Sequence, residues 1–186
     1  MKKALIIIDM LNDFYDGPLA NIENVNPIIP NLQRLIAHAR QSDDWVVVYS
    51  NDLHDETDRE LSVWGPHAMR GTKGAEVIPQ IAPSYVDGKE IESPKHFYGA
   101  FDETGLESQL RDMGVGTVVL TGQHTNCCVR HSAYGAFRHG FAIVVPEDAV
   151  AVPPGGDQAE AIAYLKAIYG AEIVTTDELV DIEITA

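Results

Sequence analysis

Hydrophobic positions along the chain fall into short unbroken runs separated by amphipathic stretches. Residues 4–9, Ala-Leu-Ile-Ile-Ile-Asp, are apolar throughout and closed by one acid, the pattern of a strand buried on both faces of a parallel sheet. Similar runs occupy 45–49, 116–121 and 141–146, with weaker ones at 172–175 and 89–92. Between them the period changes. Ile28, Leu32, Leu35 and Ile36 share one face of a helix over 27–40. Thr104-Gly-Leu-Glu107 has the form of a capping box and predicts a helix to about residue 113, and Asp157-Gln-Ala-Glu160 predicts another to about 169. Thr125 is the natural N-cap of a helix running to about 139.

Strand, helix, strand in repeating order implies right-handed βαβ units. The expected fold class is therefore α/β: a doubly wound, mostly parallel sheet with helices on both faces. No repeat or low-complexity linker interrupts it, and a length of 186 residues suits one domain over 1–186. The longest irregular stretch, 51–74, is rich in charge and turn residues, and long loops in compact domains tend to be functional.

Charge narrows the partners. Thirteen basic against 28 acidic residues leave a net charge of −15, which repels phosphate backbones and anionic lipid alike, so neither nucleic acid nor membrane is expected. The surplus acid reads as an ordinary solvated surface, with a saline habitat as the alternative. The apolar run at 4–8 is too short to span a bilayer and lacks a cleavage region after it. Two adjacent cysteines, Cys127 and Cys128, cannot build a disulfide framework, so a reduced, cytoplasmic protein is expected.

In an open α/β sheet the ligand crevice lies beyond the carboxyl ends of the strands. Asp9 closes the first run, Asp52 and His54 follow the second, Lys95 follows the weak run near Ile91, and the cysteines follow the run ending at Thr121. Cys128 in the first turn of a helix would have its thiolate stabilised by the helix dipole and a nearby lysine. Its other reading is a buried small hydrophobe, as expected for Cys127. Asp9 reads as a base or a loop cap, and Lys95 as a charge stabiliser or a surface residue. Acid, lysine and thiol together form the minimum set for acyl transfer. Asp52, His54 and His67 suit a borderline divalent ion such as zinc or iron with open positions, although seven scattered histidines will sometimes give such a spacing by chance.

Five motifs in order resemble one family: Ile7-Ile-Asp-Met-Leu-Asn-Asp-Phe14, Asp52-Leu-His54, Trp64-Gly-Pro-His67 with Gly71-Thr72, Lys95-His-Phe-Tyr-Gly-Ala-Phe101, and Gly122 to Val129. Together they resemble the isochorismatase-like cysteine hydrolases, in the nicotinamidase (pyrazinamidase) branch, over nearly the whole chain. The resemblance implies a catalytic triad of Asp9, Lys95 and Cys128. It implies metal ligands Asp52, His54 and His67, with Glu60 where some members offer a further one. The metal would be zinc, with iron or manganese as alternatives. Phe14, Trp64 and Tyr98 fall where relatives line the pocket around an aromatic ring. The backbone N–H groups of His124 and Cys128 would form an oxyanion hole behind a cis Gln123–His124 peptide.

The implied activity is conversion of nicotinamide to nicotinate and ammonia in an assembly of identical chains. Hydrolysis of another small amide or ureido compound is the first alternative, and a metal-binding interaction module without turnover the second. Two departures stand out: relatives often carry a small residue in place of His124 and an Asp in place of Gly135, whose loss would remove a structural hydrogen bond.

Overall fold

A computed structural model describes residues 1–85 and 88–181. Its sheet is built from β1 (Lys2–Ile8), β2 (Trp45–Ser50), β3 (Glu90–Glu92), β4 (Val115–Gln123), β5 (Ala142–Pro146), β6 (Val150–Ala151) and β7 (Glu172–Val174). The order is β3-β2-β1-β4-β5-β7 with β6 against the end of β4, and every pairing is parallel. The strand order reverses between β1 and β4, which makes the gap beyond their carboxyl ends the topological switch point.

Burial explains the sheet. Ala4 to Ile8 are all fully buried because successive side chains face opposite layers. Ala4, Ile6 and Ile8 pack with α5 (Leu106–Asp112), α6 (Cys128–Arg138) and α7 (Gln158–Tyr169), whereas Leu5 and Ile7 pack with α3 (Ile29–Gln41). The remaining helices are short: α1 (Asn12–Tyr15), α2 (Ile22–Val25), α4 (Leu61–Trp64) and α8 (Thr176–Asp181). Among the described residues no helix is long and apolar enough to cross a membrane.

Several boundaries differ from the sequence reading. The 27–40 helix begins at Ile29, after a 3-10 turn over Asn26–Ile28. Residues 51–74 are not wholly irregular, since they hold α4 and isolated bridges from Asp52 to Lys95 and from His54 to Met69. The 104–107 capping box does not form. Gly105 takes the N-cap position at φ 71°, Thr104 Oγ1 accepts from Leu106 N at 3.2 Å, and Glu107 turns to Arg111 instead. Asp157 does cap α7, accepting from Glu160 N at 2.9 Å. Thr125 is not the N-cap of α6: its N–H donates to Ala151 O at 2.9 Å and its hydroxyl to Gln158 Oε1 at 3.0 Å. Those bonds hold Thr125 in a turn beside β6, and the helix starts at Cys128 with Cys127 in the N-cap position.

Candidate active site

Each polar residue picked out at a strand end arrives at the same crevice. Asp9 leaves β1 in the left-handed region at φ 52°, which turns its carboxylate across the switch point. The neighbouring strand can come this close because Gly122, at φ 92°, has no side chain: an added Cβ would meet Ile8 O at 2.2 Å. Asp9 is fully buried and held from three sides, by Asp52 N to Oδ1 at 2.8 Å, Lys95 Nζ to Oδ2 at 2.8 Å, and Gln123 Nε2 to its carbonyl at 3.1 Å. Gln123 is fixed in turn by Asn21 Nδ2 at 3.0 Å.

The chain beyond β2 and the chain beyond β3 continue side by side, with Lys95 N donating to Asn51 O at 2.9 Å and Leu53 N to Lys95 O at 3.0 Å. This short ladder places the Lys95 ammonium, itself fully buried, between the carboxylates of Asp9 and Asp52, with hydrogen bonds to both. Burial pulls the ammonium's pKa down, but the two carboxylates outweigh it and raise it well above the ordinary lysine value. Burial and the Asp52 charge push Asp9 up to about 7 despite the lysine.

Cys128 Sγ completes the group: it lies within 4.8 Å of a carboxylate oxygen of Asp9 and one of Asp52. The sequence led us to expect a thiolate stabilised by Lys95. The direction is the reverse, because contact with the Cys127 thiol, burial and the Asp9 and Asp52 carboxylates raise the Cys128 thiol well above its usual range, and Lys95 offsets only part of that. The Cys128 thiol, raised in this way, stands beside a carboxylate that titrates near neutrality.

The helix start supplies donors here. His124 O is taken by the N–H groups of Cys127 and Val129, at 3.0 and 3.1 Å. Among the described residues the N–H groups of His124 and Cys128 have no acceptor. The Gln123–His124 peptide is cis, as the resemblance implied.

A cavity of about 220 Å³ opens from Cys128. That is below the roughly 300–1,000 Å³ of drug-sized sites and suits a small substrate. Phe14, Trp64, Tyr98 and His124 line it, with Cys127, Pro153 and Pro154. Cys127, expected to be a packing residue, is therefore on the pocket wall. Trp64 Nε1 donates to Tyr98 Oη at 3.1 Å, which joins two aromatic walls, and Trp64 stands half-exposed at the mouth. His124 packs edge-on against Phe14 at 5.8 Å, and burial pulls its imidazole down to about 4, so it is neutral.

Asp52, His54, Glu60 and His67 meet on one side of this pocket, all buried, each offering an atom within 4.8 Å of the others. His67 Nδ1 faces Gly65 O at 2.8 Å and must carry the proton, and His54 Nδ1 faces Asp58 Oδ2 at 3.0 Å. Both Nε2 atoms, and Asp52 Oδ2, are buried without a hydrogen-bond partner among the described residues. The two nitrogens stand 3.7 and 3.8 Å from that oxygen, and His67 Nε2 stands 3.9 Å from Glu60 Oε1. Ligands on 2.0–2.1 Å bonds at tetrahedral angles stand about 3.3 Å apart, so small side-chain movements close the set around a zinc-sized cation.

Charge agrees with that fit. Burial and Asp52 push Glu60 up to about 8, and His54 is raised by its carboxylate neighbours against the pull of burial, so the cluster seeks positive charge. Two residues escaped the sequence reading: Asp58, within the charged stretch 51–74, and His96, whose Nδ1 reaches Asp58 Oδ2 at 2.7 Å. The i, i+4 spacing from His54 to Asp58 was the available signal. His96 gave none.

Comparison with known proteins places the architecture. An isochorismatase domain model matches residues 3–178. The crystal structure of N-carbamoylsarcosine amidase from Thermoplasma acidophilum superposes with a TM-score of 0.86 at 38% identity, over 95% of this chain and 98% of the other. Pyrazinamidase of Pyrococcus horikoshii in complex with zinc gives 0.83 at 28% identity, over 94% and 99%. The nicotinamidase/pyrazinamidase of Mycobacterium tuberculosis is 32% identical over 163 residues, 80% of this chain and 86% of its own.

Proposed function

The chain belongs to the isochorismatase family, and from that premise we propose that it is a cysteine-dependent amidohydrolase converting nicotinamide to nicotinate and ammonia. The observation that carries this reading is that Cys128, which lines a small aromatic-walled pocket, stands beside Asp9, itself bonded to Lys95.

Asp9 takes the Cys128 thiol proton as general base, a task suited to a carboxylate titrating at about 7. Lys95 holds the charge that remains. Sulfur attacks the amide carbon, and the N–H groups of His124 and Cys128 receive the developing oxyanion. Asp9 returns the proton to the leaving nitrogen, the C–N bond breaks, and ammonia departs from a thioester on Cys128. A water deprotonated by Asp9 then attacks the thioester and frees nicotinate and the thiol. Phe14, Trp64 and Tyr98 hold the ring flat so that the carboxamide meets the sulfur in attack geometry.

Asp52, His54 and His67, with Glu60, would hold a divalent ion, zinc before iron or manganese. When bound, that ion supplies a Lewis-acid anchor for the ring nitrogen or a water beside it. The free thiol chemistry calls for a reducing cytoplasm.

His124 favours a second reading. A neutral imidazole fills space where relatives often carry a small residue, and the N-carbamoylsarcosine amidase is similar over nearly the whole chain. A ureido or carbamoyl substrate, bound through the same cysteine chemistry, would use that polar wall. A panel of nicotinamide, pyrazinamide and N-carbamoyl amino acids, assayed for released ammonia, separates the two. Highest kcat/KM on the pyridine and pyrazine amides is expected; preference for the carbamoyl compounds sinks the nicotinamide reading, and no turnover of any of them sinks both and leaves another small amide or a binding module.

A further inference from the structure

Three N–H groups converge on one oxygen of Asp58. Its Oδ2 lies 3.0 Å from His54 Nδ1, 2.7 Å from His96 Nδ1 and 3.0 Å from Asp55 N. His54 has no exposed surface, and its other nitrogen is the orphan acceptor described above. An imidazole carries its proton on either nitrogen, and the group facing one nitrogen decides which. Nothing except Asp58 faces Nδ1 of His54 among the described residues.

We propose that Asp58 is the positioning residue of the cation site: it accepts the Nδ1 proton of His54 and so presents Nε2 as an unprotonated ligand toward Asp52, Glu60 and His67. His96 anchors Asp58 at the same oxygen. It is the residue after Lys95, so this contact ties the loop bearing the metal ligands to the loop bearing the buried lysine. The inference rests on the cation reading of the preceding subsection.

A purely structural role for Asp58 is a poor fit. The turn it occupies is also closed by Asp58 N to Asp55 O at 3.0 Å, and Asp55 is held by a two-point pair with Arg70 at 2.8 and 3.0 Å. Those contacts survive loss of the carboxylate. What is lost with it is one further bond within the turn, from Asp55 N, the contact to His96, and the acceptor for a buried Nδ1–H of His54, and a ring left with that group unpaired moves its proton to Nε2 or turns away.

The test measures Zn²⁺ affinity by competition with a chromogenic chelator in the wild-type chain, Asp58→Ala, Asp58→Asn and His96→Ala. Nitrogen-15 NMR of the imidazoles in metal-free protein reports the His54 tautomer. Asp58→Ala should bind Zn²⁺ about 10–100-fold more weakly, the scale for loss of a ligand's hydrogen-bond partner, and should lose the Nδ1–H form of His54. Asp58→Asn keeps an acceptor and should lose less, and His96→Ala should fall between it and the wild type. Far-ultraviolet circular dichroism and the Cys128 alkylation rate should not move. If Asp58→Ala does not fold, the other two variants decide. Variants that keep wild-type Zn²⁺ affinity and tautomer overturn the role of Asp58, whereas a wild-type chain that takes up no Zn²⁺ overturns the cation reading itself.

Discussion

At the scale of single residues the site is a problem of unequal charge. One ammonium, Lys95, sits buried between two carboxylates, and Asp9 yields by rising to about 7 while Asp52 is lowered. A base with that value sets a pH dependence: the ionised form that accepts the thiol proton grows as pH rises through about 7, so kcat/KM should fall tenfold per pH unit below it. A pH profile of ammonia release checks this, and a flat profile from pH 5 to about 7 removes Asp9 as the base. Cys128→Ala should lower kcat by about 10⁴–10⁶-fold, the range for deleting a nucleophile from a cooperating set. Cys127→Ala, on the pocket wall but offset from Asp9, should retain most activity. The opposite pattern shifts the register of the site. Asp9, Lys95 and Cys128 could be read from the chain because a polar residue closing an apolar run has few places to go in a parallel sheet. The Cys128 thiol's upward shift could not: adjacency to Cys127 does not reveal that the two sulfur atoms interact, and the burial and carboxylates that add to the shift come from segments distant in sequence.

At the scale of elements, α6 shows how tertiary contacts override a local signal. Thr125 has the chemistry of a cap, but β6 and Gln158 claim its donors, and the helix begins at Cys128 with its first N–H free for a ligand. The apolar strands and long helices were legible because their period is set by burial alone, whereas β6, two residues long, left no pattern to find. Gly135 is explained at this scale as well. An added Cβ would lie 2.9 Å from Cβ and Cδ2 of Phe101, so a buried aromatic ring occupies the place where relatives carry an Asp side chain. The ring fills the space that a longer side chain at 135 would need. Gly135→Asp should therefore destabilise the protein by about 1–3 kcal/mol through overpacking. At 2–4 °C per kcal/mol for a chain of this size, the melting temperature should drop by about 2–12 °C. Gly135→Ala regains about 1 kcal/mol of helix propensity and should lie closer to the wild type. A melting temperature raised by Gly135→Asp would show that Phe101 moves aside freely.

At the scale of the whole molecule, the sheet converts four strand ends into two adjoining centres that share Asp52. One oxygen of that carboxylate meets Lys95, and the other faces the histidines with no hydrogen-bond partner among the described residues. Buried acceptors left without a donor burden the fold, and a cation relieves them, so metal uptake and stability should be linked. Chelated protein supplied with Zn²⁺ at 100 times its dissociation constant should gain about 2.7 kcal/mol, which at 2–4 °C per kcal/mol is a rise of about 5–11 °C in melting temperature. The gain should shrink as acid protonates His54 and His67, because protons compete for the same lone pairs. Turnover should separate from the thiol in the chelated state. With no anchor for the ring the carboxamide is misplaced and ammonia release from nicotinamide should stop. Cys128 should still alkylate, as identified by peptide mass spectrometry to distinguish it from Cys127, because Asp9 and Lys95 remain beside it. Full amidase activity in verified metal-free protein would break this link. The cation would then be a support for the fold alone, and the pocket would belong with substrates that need no ring anchor, such as the carbamoyl compounds.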